Sequence, residues 1–391
     1  MSNIGRQYPS EMTTYTDTKT GRKITQLTSK YQNWHLYFTE NSFTLGDEEI
    51  YFISSRPYDE IDRANFCKMD LKTGIITQIT DTPGISSNGG YTKTPDSEYL
   101  VYISDNKLYT LNTITDEENM VYECEEGYVI GAPNISHDKK YIAIFKNEKI
   151  PTVFDGVNYS GFKETMYYVK RGEVVLVNVD GSGATTVFYD THLVGHLQFA
   201  PDDSTLLSFC HEGPWNYIHQ RIWLLNTVTR EVWPCFRQTE EDDCVGHEFW
   251  TRDGYIFFDN RRKGHDGTIT SDRTQSVTPA EATSDPNQIP YVGLANKKGE
   301  VIRKIELPYY CNHYHANEDN SLLVGDEVDD LVVIDLNNQP AAPVPICNHA
   351  TSWRTAQSHV HPTWSWGSEK ILFASDRGGN VNVYITDDWK I

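Results

Sequence analysis

Histidine and glutamine alternate near one end of this 391-residue chain, in a pattern that could bind a metal ion. The segment TAQSHVHPTW, residues 355–364, has Gln357, His359 and His361 at every second position. Alternation is the period of a β-strand, so a strand here would turn all three side chains to one face. Imidazole nitrogens suit manganese, iron, nickel, copper and zinc better than calcium or magnesium. The spacing therefore predicts a transition-metal site on a strand, although a single inner-strand histidine is more often a core residue bonded to the backbone.

Three further segments carry histidines in the same place, just before a short turn. They are HLVGHLQFAPDD with His192 and His196, CVGHEFWTRDG with His247, and CNHYHANEDN with His313 and His315. Together with the first segment, they hold seven of the thirteen histidines. Equivalent positions of a radial repeat meet near its axis, so we expect these side chains to line the mouth of a central channel.

A second group of ionisable residues lies in the segment CHEGPWNYIHQRIWLLN. His211 and Glu212 end one predicted strand, and Arg221 begins the next. The group could serve a functional site, or Glu212 could cap a turn while Arg221 pairs with an acidic residue of the scaffold. Arginines also recur at matching positions of other repeats, namely Arg56, Arg261 and Arg377. Such recurrence is typical of scaffold contacts, so an architectural role is favoured for these three.

The elements that must position these residues are short strands in a repeat. Seven copies of a turn followed by an apolar run, such as TPDSEYLVYIS and SWGSEKILFAS, have turns near residues 47, 96, 138, 202, 253, 319 and 367. Each period holds roughly four short strands, and long helical periodicity is absent. The pattern predicts an all-β fold, a seven-bladed β-propeller that forms a single domain over residues 22–391.

Three features lie outside this regular repeat. Residues 1–21 are predicted to be an N-terminal extension, and the strand within Arg22–Ser29 is expected to pair with the last strand and close the ring. Longer excursions occur around 145–173 and around 260–288. The second is rich in Thr, Ser, Asp and Pro, and we expect a loop or a lid there.

The charge balance excludes several kinds of partner. The chain has 34 Lys+Arg against 55 Asp+Glu, a formal net charge of -21 at pH 7. Such a surface repels nucleic-acid phosphates and anionic membranes, so neither is an expected partner, whereas a small anionic ligand held by local cations is compatible with it. The seven cysteines form no C-x-x-C pair, the first residues lack the apolar core of a signal peptide, and no apolar run could span a membrane. We therefore expect a soluble protein of the cytoplasm.

Four spaced motifs resemble those of the oligogalacturonate lyases, polysaccharide lyase family 22. In order between Cys210 and Pro362 they are CHEGPW with R-x-W-L-x-N, VGHEFW-x-x-DG, C-x-H with N-x-D-x-S-L-x-VGD, and Q-x-H-x-HP. The resemblance implies a seven-bladed propeller that cleaves short oligogalacturonides, such as digalacturonate, by β-elimination. It also implies a divalent transition metal, most simply Mn²⁺, and a small anionic oligosaccharide as the partner; it leaves the oligomeric state open.

The resemblance further implies roles for individual residues. The metal ligands would be His313, Gln357, His359 and His361, with His315 as an alternative to His313. His247 would be the general base and Arg221 its cationic partner, and His211 and Arg221 would contact the substrate. Two other functions stay open on the sequence alone: a non-catalytic propeller that binds ligands, and a metal-assisted hydrolase or isomerase of another sugar acid.

Overall fold

The computed structural model describes residues 2–86, 89–152, 162–213, 217–240, 243–262, 289–338 and 341–391. The predicted loop or lid around 260–288 lies outside the described residues from position 263 onwards, as does the 153–161 part of the excursion around 145–173. Helix is scarce in the described ranges. They contain one α-helix, α1 (Phe162–Tyr168), and short 3₁₀ helices at Ile61–Arg63 and Ala356–Ser358. No helix in these ranges is long and apolar enough to cross a membrane.

Thirty strands in the described residues form seven sheets of four or five strands each. The sheets are built from hairpins of consecutive antiparallel strands. This confirms the prediction of an all-β, seven-bladed β-propeller. The chain also divides into two compact units, Met1–Glu98 with Cys311–Ile391, and Tyr99–Tyr310.

The first unit contains three complete sheets. One has the order β1-β7-β6-β5-β4, with β1 (Gln7–Tyr8), β4 (Asn33–His35), β5 (Glu49–Ser54), β6 (Asn65–Asp70) and β7 (Ile76–Gln78). Another has the order β24-β25-β26-β27, with β24 (Tyr314–Ala316), β25 (Leu322–Asp326), β26 (Asp330–Asp335) and β27 (Pro343–Asn348). The third has the order β2-β3-β30-β29-β28, with β2 (Thr13–Thr16), β3 (Lys23–Gln26), β28 (Thr363–Trp364), β29 (Ile371–Ser375) and β30 (Asn382–Thr386).

The second unit also contains three complete sheets. The first has consecutive strands β12 (Tyr128–Ile135), β13 (Tyr141–Glu148), β14 (Gly172–Asn178) and β15 (Ala184–Asp190). The next has β16 (Leu193–Ala200), β17 (Asp203–Glu212), β18 (Ile222–Asn226) and β19 (Val232–Pro234). The last has β20 (Val245–Trp250), β21 (Ile256–Asn260), β22 (Tyr291–Ala295) and β23 (Val301–Glu306). The remaining sheet has the order β11-β10-β9-β8, with β8 (Tyr91–Lys93), β9 (Tyr99–Ser104), β10 (Lys107–Asn112) and β11 (Glu117–Glu123).

In most sheets a tight turn joins the strands of the first hairpin, at the position that the sequence repeat predicts. Six of these turns contain a residue in the left-handed region, with φ between 57° and 80°: Asp47, Ser97, Lys139, Gly254, Asn320 and Ser368. Glycine, asparagine and aspartate tolerate this conformation better than other residues do, which explains their frequency in the repeated motif. The apolar runs that follow are buried along nearly their whole length, as in β5 and β29.

The two ends of the chain share one sheet. β3 pairs antiparallel with β30, with Thr25 opposite Ile385, as the sequence predicts. Residues before Arg22 also contribute strands, because β2 pairs with β3 and β1 pairs with β7. The edges of these two sheets are therefore covered by segments from the start of the chain.

Candidate active site

Three histidines converge in the first unit. One nitrogen from each of His313, His359 and His361, the histidine trio, lies within 4.8 Å of the other two. The His313 and His361 rings meet edge to face with centroids 4.2 Å apart, and His359 lies 5.7 Å from His313. His313 and His359 are buried and His361 is half-buried. The trio thus contains three of the four residues that were predicted to bind the metal.

The predicted strand over residues 355–364 is wrong for most of that segment. Ala356–Ser358 is a 3₁₀ helix, and the strand begins only at Thr363. A capping box explains the helix, since the Thr355 hydroxyl accepts the Ser358 backbone N–H while the Ser358 hydroxyl accepts that of Thr355. Gln357 is therefore half-buried on this helix rather than on a strand face. This helix ends directly at His359, and Gln357 stays a predicted ligand.

Val360 holds the two histidines that flank it. Its side chain is fully buried in a core cluster that also contains Trp353 and Trp364. Its carbonyl oxygen accepts the backbone N–H of Ala374 on β29 at 2.9 Å. His361 then takes a φ of 44°, which is uncommon for a residue with a side chain. Core packing and this left-handed turn, not strand alternation, bring His359 and His361 to the same place.

Asp326 orients His313. Its Oδ2 lies 2.7 Å from His313 Nδ1, and its Oδ1 accepts the His313 backbone N–H at 2.6 Å. A proton on Nδ1 shared with this carboxylate leaves the lone pair of Nε2 for a metal. The alternative ligand His315 differs, because its Nδ1 accepts the backbone N–H of Trp364 at 3.1 Å and it is not part of the trio.

Aromatic rings pack against all three histidines of the trio. Phe38 lies 5.2 Å from the His313 ring, Tyr37 lies 4.8 Å from His361, and Trp353 lies 5.3 Å from His359. Burial, followed by the neighbouring His313, lowers the pKa of His359 to about 3. His359 is therefore neutral at physiological pH and offers a lone pair. Neutral imidazole nitrogens with a carboxylate behind one of them fit a divalent transition metal.

The second unit holds a buried polar cluster around His247, which we call the His247 cluster. Its members are His196, Glu212, Arg221, His247, Glu248, Asp259 and Arg261. His196 and His247 both lie where the register of an edge strand shifts, on β16 and β20 respectively. A β-bulge re-aims a side chain, and His196 has a φ of 50°. The two rings are nearly parallel, with centroids 5.7 Å apart.

Two buried carboxylates bracket His196. Its Nε2 lies 3.1 Å from Glu212 Oε1, and its Nδ1 lies 3.2 Å from Glu248 Oε1. Burial alone would lower the pKa of His196, but Glu248 and Glu212 raise it above its usual value. His196 therefore tends to carry a positive charge.

Arg221 is paired with Glu212. Nη1 and Nη2 of the guanidinium both lie 3.2 Å from Glu212 Oε2, and Nε donates to the Gly246 carbonyl oxygen at 2.7 Å. Burial would raise the pKa of Glu212, but Arg221 and then His196 lower it to about 2. Arg221 is 4% exposed, so its guanidinium is already held by protein groups.

His247 is held neutral by its surroundings. Its Nδ1 lies 3.4 Å from Arg261 Nη2 and 3.7 Å from Asp259 Oδ2. Burial, then Arg261, His196 and Arg221, lower the pKa of His247 well below its ordinary value. The contact with Arg261 is the one that sequence reasoning missed, because recurrence favoured a scaffold role for that arginine.

The other recurring arginines do make scaffold contacts. Arg56 is fully buried and donates to Ser54 at 2.7 Å and to Glu11 at 2.7 Å. Arg377 donates to the Tyr15 hydroxyl at 2.5 Å. The predicted architectural role is therefore confirmed for these two, in the first unit.

His211, predicted to contact the substrate, lies at the end of β17 and is buried. Its ring stacks on that of His192 with centroids 4.4 Å apart and an angle of 12° between the planes. Its backbone N–H donates to the Arg221 carbonyl oxygen at 2.9 Å. His211 is thus linked to the His247 cluster through the backbone, while its side chain faces another group.

Known proteins resemble this chain over almost its whole length. The family model described as oligogalacturonate lyase matches residues 2–388. An oligogalacturonide lyase of Pectobacterium atrosepticum is 24% identical over 408 residues, and an oligogalacturonate lyase of Dickeya dadantii is 25% identical over 409 residues. Each of these alignments covers 97% of this chain and 97% of the relative.

Solved structures agree with these relatives. An oligogalacturonate lyase in complex with manganese superposes with a TM-score of 0.83 at 25% identity, covering 99% of this chain and 98% of that one. An oligogalacturonate lyase from Vibrio parahaemolyticus has a TM-score of 0.82 at 23% identity and covers 98% of both chains, which bears on the fold alone.

Proposed function

The chain belongs to the oligogalacturonate lyase family of enzymes, and we propose that it cleaves short oligogalacturonides by β-elimination. The reaction would use a divalent transition metal, and Mn²⁺ is the ion we propose. One observation carries the proposal. In a chain of this family, the histidine trio offers three converging nitrogens, and a buried carboxylate fixes one of the rings. A solved relative of the same family holds manganese, which suits this donor set.

The trio would hold the ion. His313 would bind through Nε2, because its Nδ1 faces Asp326, and His359 and His361 would complete three protein ligands. Gln357 is proposed as the fourth, from the 3₁₀ helix that leads into His359. When bound, such an ion supplies a Lewis acid that stabilises negative charge developing on a substrate carboxylate.

His247 would be the general base. The proton to be removed is on C5 of a uronate, next to a carboxylate, and is only weakly acidic. A lowered pKa keeps His247 unprotonated at neutral pH, so it can accept that proton. Acceptance at Nε2 requires the ring proton to be on Nδ1, so Nδ1 would have to turn from the donating Arg261 Nη2 at 3.4 Å to Asp259 Oδ2, which lies 3.7 Å away. The C4–O bond then breaks as the double bond between C4 and C5 forms, and the oxygen leaves with its electron pair and takes a proton from solvent, which gives a 4,5-unsaturated uronate.

Cations would support this base. Arg261, beside His247, disfavours the imidazolium between turnovers and is proposed as a site residue. Arg221 is proposed to act on His247 mainly through its charge, since a fork to the substrate carboxylate would have to replace its contact with Glu212. Under this proposal His211 remains a predicted substrate contact.

The substrate is proposed to be short. A net charge of -21 repels a long polyanionic chain, whereas a dimer or trimer can be bound by a local group of cations and a metal ion.

The test is an assay on digalacturonate with metal-free and Mn²⁺-loaded protein. β-Elimination creates a double bond conjugated with the carboxylate, so we expect new ultraviolet absorbance that a chelator removes and added Mn²⁺ restores. Metal-loaded protein that produces no absorbance would overturn the proposal. New reducing ends without absorbance would instead indicate a hydrolase.

A further inference from the structure

A second group of potential metal ligands lies in the second unit. One ligand atom from each of Asp190, His192 and His211, the Asp190 cluster, lies within 4.8 Å of the other two. Asp190 ends β15, His192 lies in the turn before β16, and His211 lies on β17 opposite Val194. Three adjacent segments of chain thus meet at one end of neighbouring strands.

His211 points an unsatisfied nitrogen into this cluster. Its residue is 5% exposed, and its Nε2 atom is shielded from solvent. Within the described part of the chain, Nε2 has no hydrogen-bond partner. It lies 3.5 Å from Asp190 Oδ2 without forming a hydrogen bond to it. A buried polar atom left without a partner costs about 1–3 kcal/mol, so a ligand that bound Nε2 would recover that free energy.

The distances suit a single ion. A tetrahedral ion with ligands at about 2.1 Å keeps them about 3.4 Å apart. Asp190 Oδ1 lies 3.2 Å from His192 Nδ1 and Asp190 Oδ2 lies 3.5 Å from His211 Nε2, so each oxygen faces one histidine, and one ligand atom from each residue lies within 4.8 Å of the other two. His211 stacks on His192 at 4.4 Å and lies 5.5 Å from Trp223, so the half-buried His192 ring would rotate for both in-plane lone pairs to meet at one ion.

Access and charge agree with this geometry. The side chains of Asp190 and His192 are 32% and 29% exposed, so one side of the cluster is open to solvent. Burial, followed by His192, lowers the pKa of His211 to about 4, which leaves the ring neutral with a lone pair. Burial would raise the pKa of Asp190, but a backbone hydrogen bond and the two histidines lower it, so its carboxylate is ionised.

We propose that Asp190, His192 and His211 bind a divalent transition-metal ion of the zinc, cobalt or nickel type, in addition to the ion assigned to the histidine trio. Two imidazole nitrogens and one carboxylate oxygen are the donor set these metals prefer over magnesium or calcium. The exposed side leaves coordination positions for water or for a carboxylate of an anionic ligand. In this assignment His211 acts through the ion rather than by touching the substrate directly. The site goes beyond the proposed function, which requires a metal ion only at the trio.

Counting bound ions tests this site. Metal-free full-length protein is titrated with Zn²⁺ in competition with a chelating dye, and circular dichroism confirms folding. We expect the wild type to bind one ion at the trio and one at the Asp190 cluster. The variant Asp190→Asn/His192→Gln should lose the ion at the Asp190 cluster. Titration with Co²⁺ should show visible absorption bands that lose the same component in that variant. If the double variant does not fold, His192→Gln alone is titrated in the same way.

Two control variants separate this proposal from the first one. His359→Gln/His361→Gln removes the trio and should keep the ion at the Asp190 cluster, even if the trio binds nothing in the wild type. His137→Gln changes an exposed histidine outside all three groups and should bind as the wild type does. The proposal is overturned if folded Asp190→Asn/His192→Gln binds as many ions as the wild type, with equal affinity.

Discussion

Replacing Asp326 with asparagine would test how the histidine trio is set to receive a metal. The Asp326 carboxylate is fully buried, accepts the His313 backbone N–H at 2.6 Å and faces His313 Nδ1 at 2.7 Å. An asparagine of the same shape would keep its carbonyl oxygen on the backbone N–H and turn its NH₂ group towards Nδ1. That group can only donate, so the ring proton would move to Nε2, the nitrogen that must bind the metal.

The size of the effect follows from this contact. Losing the hydrogen-bond partner behind a metal-bound histidine weakens metal binding about 10- to 100-fold, which is about 1.4–2.7 kcal/mol. Since Asp326 is fully buried and its contact with His313 is short, we expect Asp326→Asn to lie near the 100-fold end. The measurement is Mn²⁺ affinity by competition with a fluorescent chelator.

A matched control is Asp47→Asn. Asp47 is another buried carboxylate of the first unit, and it accepts the backbone N–H groups of Trp366 and Gly367 at 2.7 Å. This variant should keep wild-type Mn²⁺ affinity. The reasoning is refuted if Asp326→Asn binds Mn²⁺ like the wild type, or if Asp47→Asn loses as much affinity.

The same contact predicts a pH dependence. Burial raises the pKa of Asp326 to about 8 in the metal-free chain. A bound ion needs this carboxylate ionised and the proton on His313 Nδ1, so Mn²⁺ affinity should weaken as the pH falls below about 8. Asp326→Asn should flatten this dependence.

Three further outcomes test the His247 cluster and the trio. His247→Gln should lower the rate about 100- to 10,000-fold with unchanged metal content. His359→Gln should lower both the rate and the metal content. Equal metal loss in the two variants would contradict the assignment of His247 as the base. Because carboxylates raise the pKa of His196 above 6.5, its stabilising charge is fully present below pH 6.5 and lost as the pH rises through the folded-state pKa. Urea unfolding should therefore show a gap between the wild type and His196→Gln that shrinks above pH 6.5, and a gap that grows there would contradict the charge assignment. Arg261→Gln should raise the pKa of His247 and move the acidic limb of kcat/KM to higher pH; an unmoved limb would return Arg261 to the scaffold.

The strands were predictable because turns and apolar runs repeat along the chain. Each turn needs a residue that tolerates a left-handed backbone, and each following run is buried, so local sequence carries the signal. The pairing of β3 with β30 followed from the same logic, since the strand within Arg22–Ser29 belongs to none of the seven repeat copies. The histidine positions within the repeat also predicted the trio, although the strand alternation assumed for residues 355–364 was wrong.

The conformation around Gln357 could not be read from alternation. Two hydrogen bonds between Thr355 and Ser358 favour a helical turn, and the buried Val360 then fixes the path of the chain. Residues that act through others were also hidden. Glu248 and Arg261 reach His196 and His247 only because bulges in β16 and β20 re-aim those histidines, and a bulge leaves little trace in one sequence.

This kind of bulge is a feature of the scaffold and does not require a functional side chain. β12 has the same kind of register shift, between Gly131 and Asn134, and Ala132 there has a φ of 43°. An alanine at this position carries no functional group, so the backbone distortion does not depend on a histidine.

The sheet formed by β2, β3, β30, β29 and β28 also limits when its strands can pair during synthesis. β2 and β3 are made well before β30, the partner of β3, which lies more than three hundred residues further along the chain. At ≈ 5–20 residues per second, this leaves the early strands waiting for tens of seconds. The core that anchors Val360 includes Ile24 and Tyr384, one from each end of the chain. A nascent chain therefore completes the sheet beside His359 and His361 only after Asn382–Thr386 has been made.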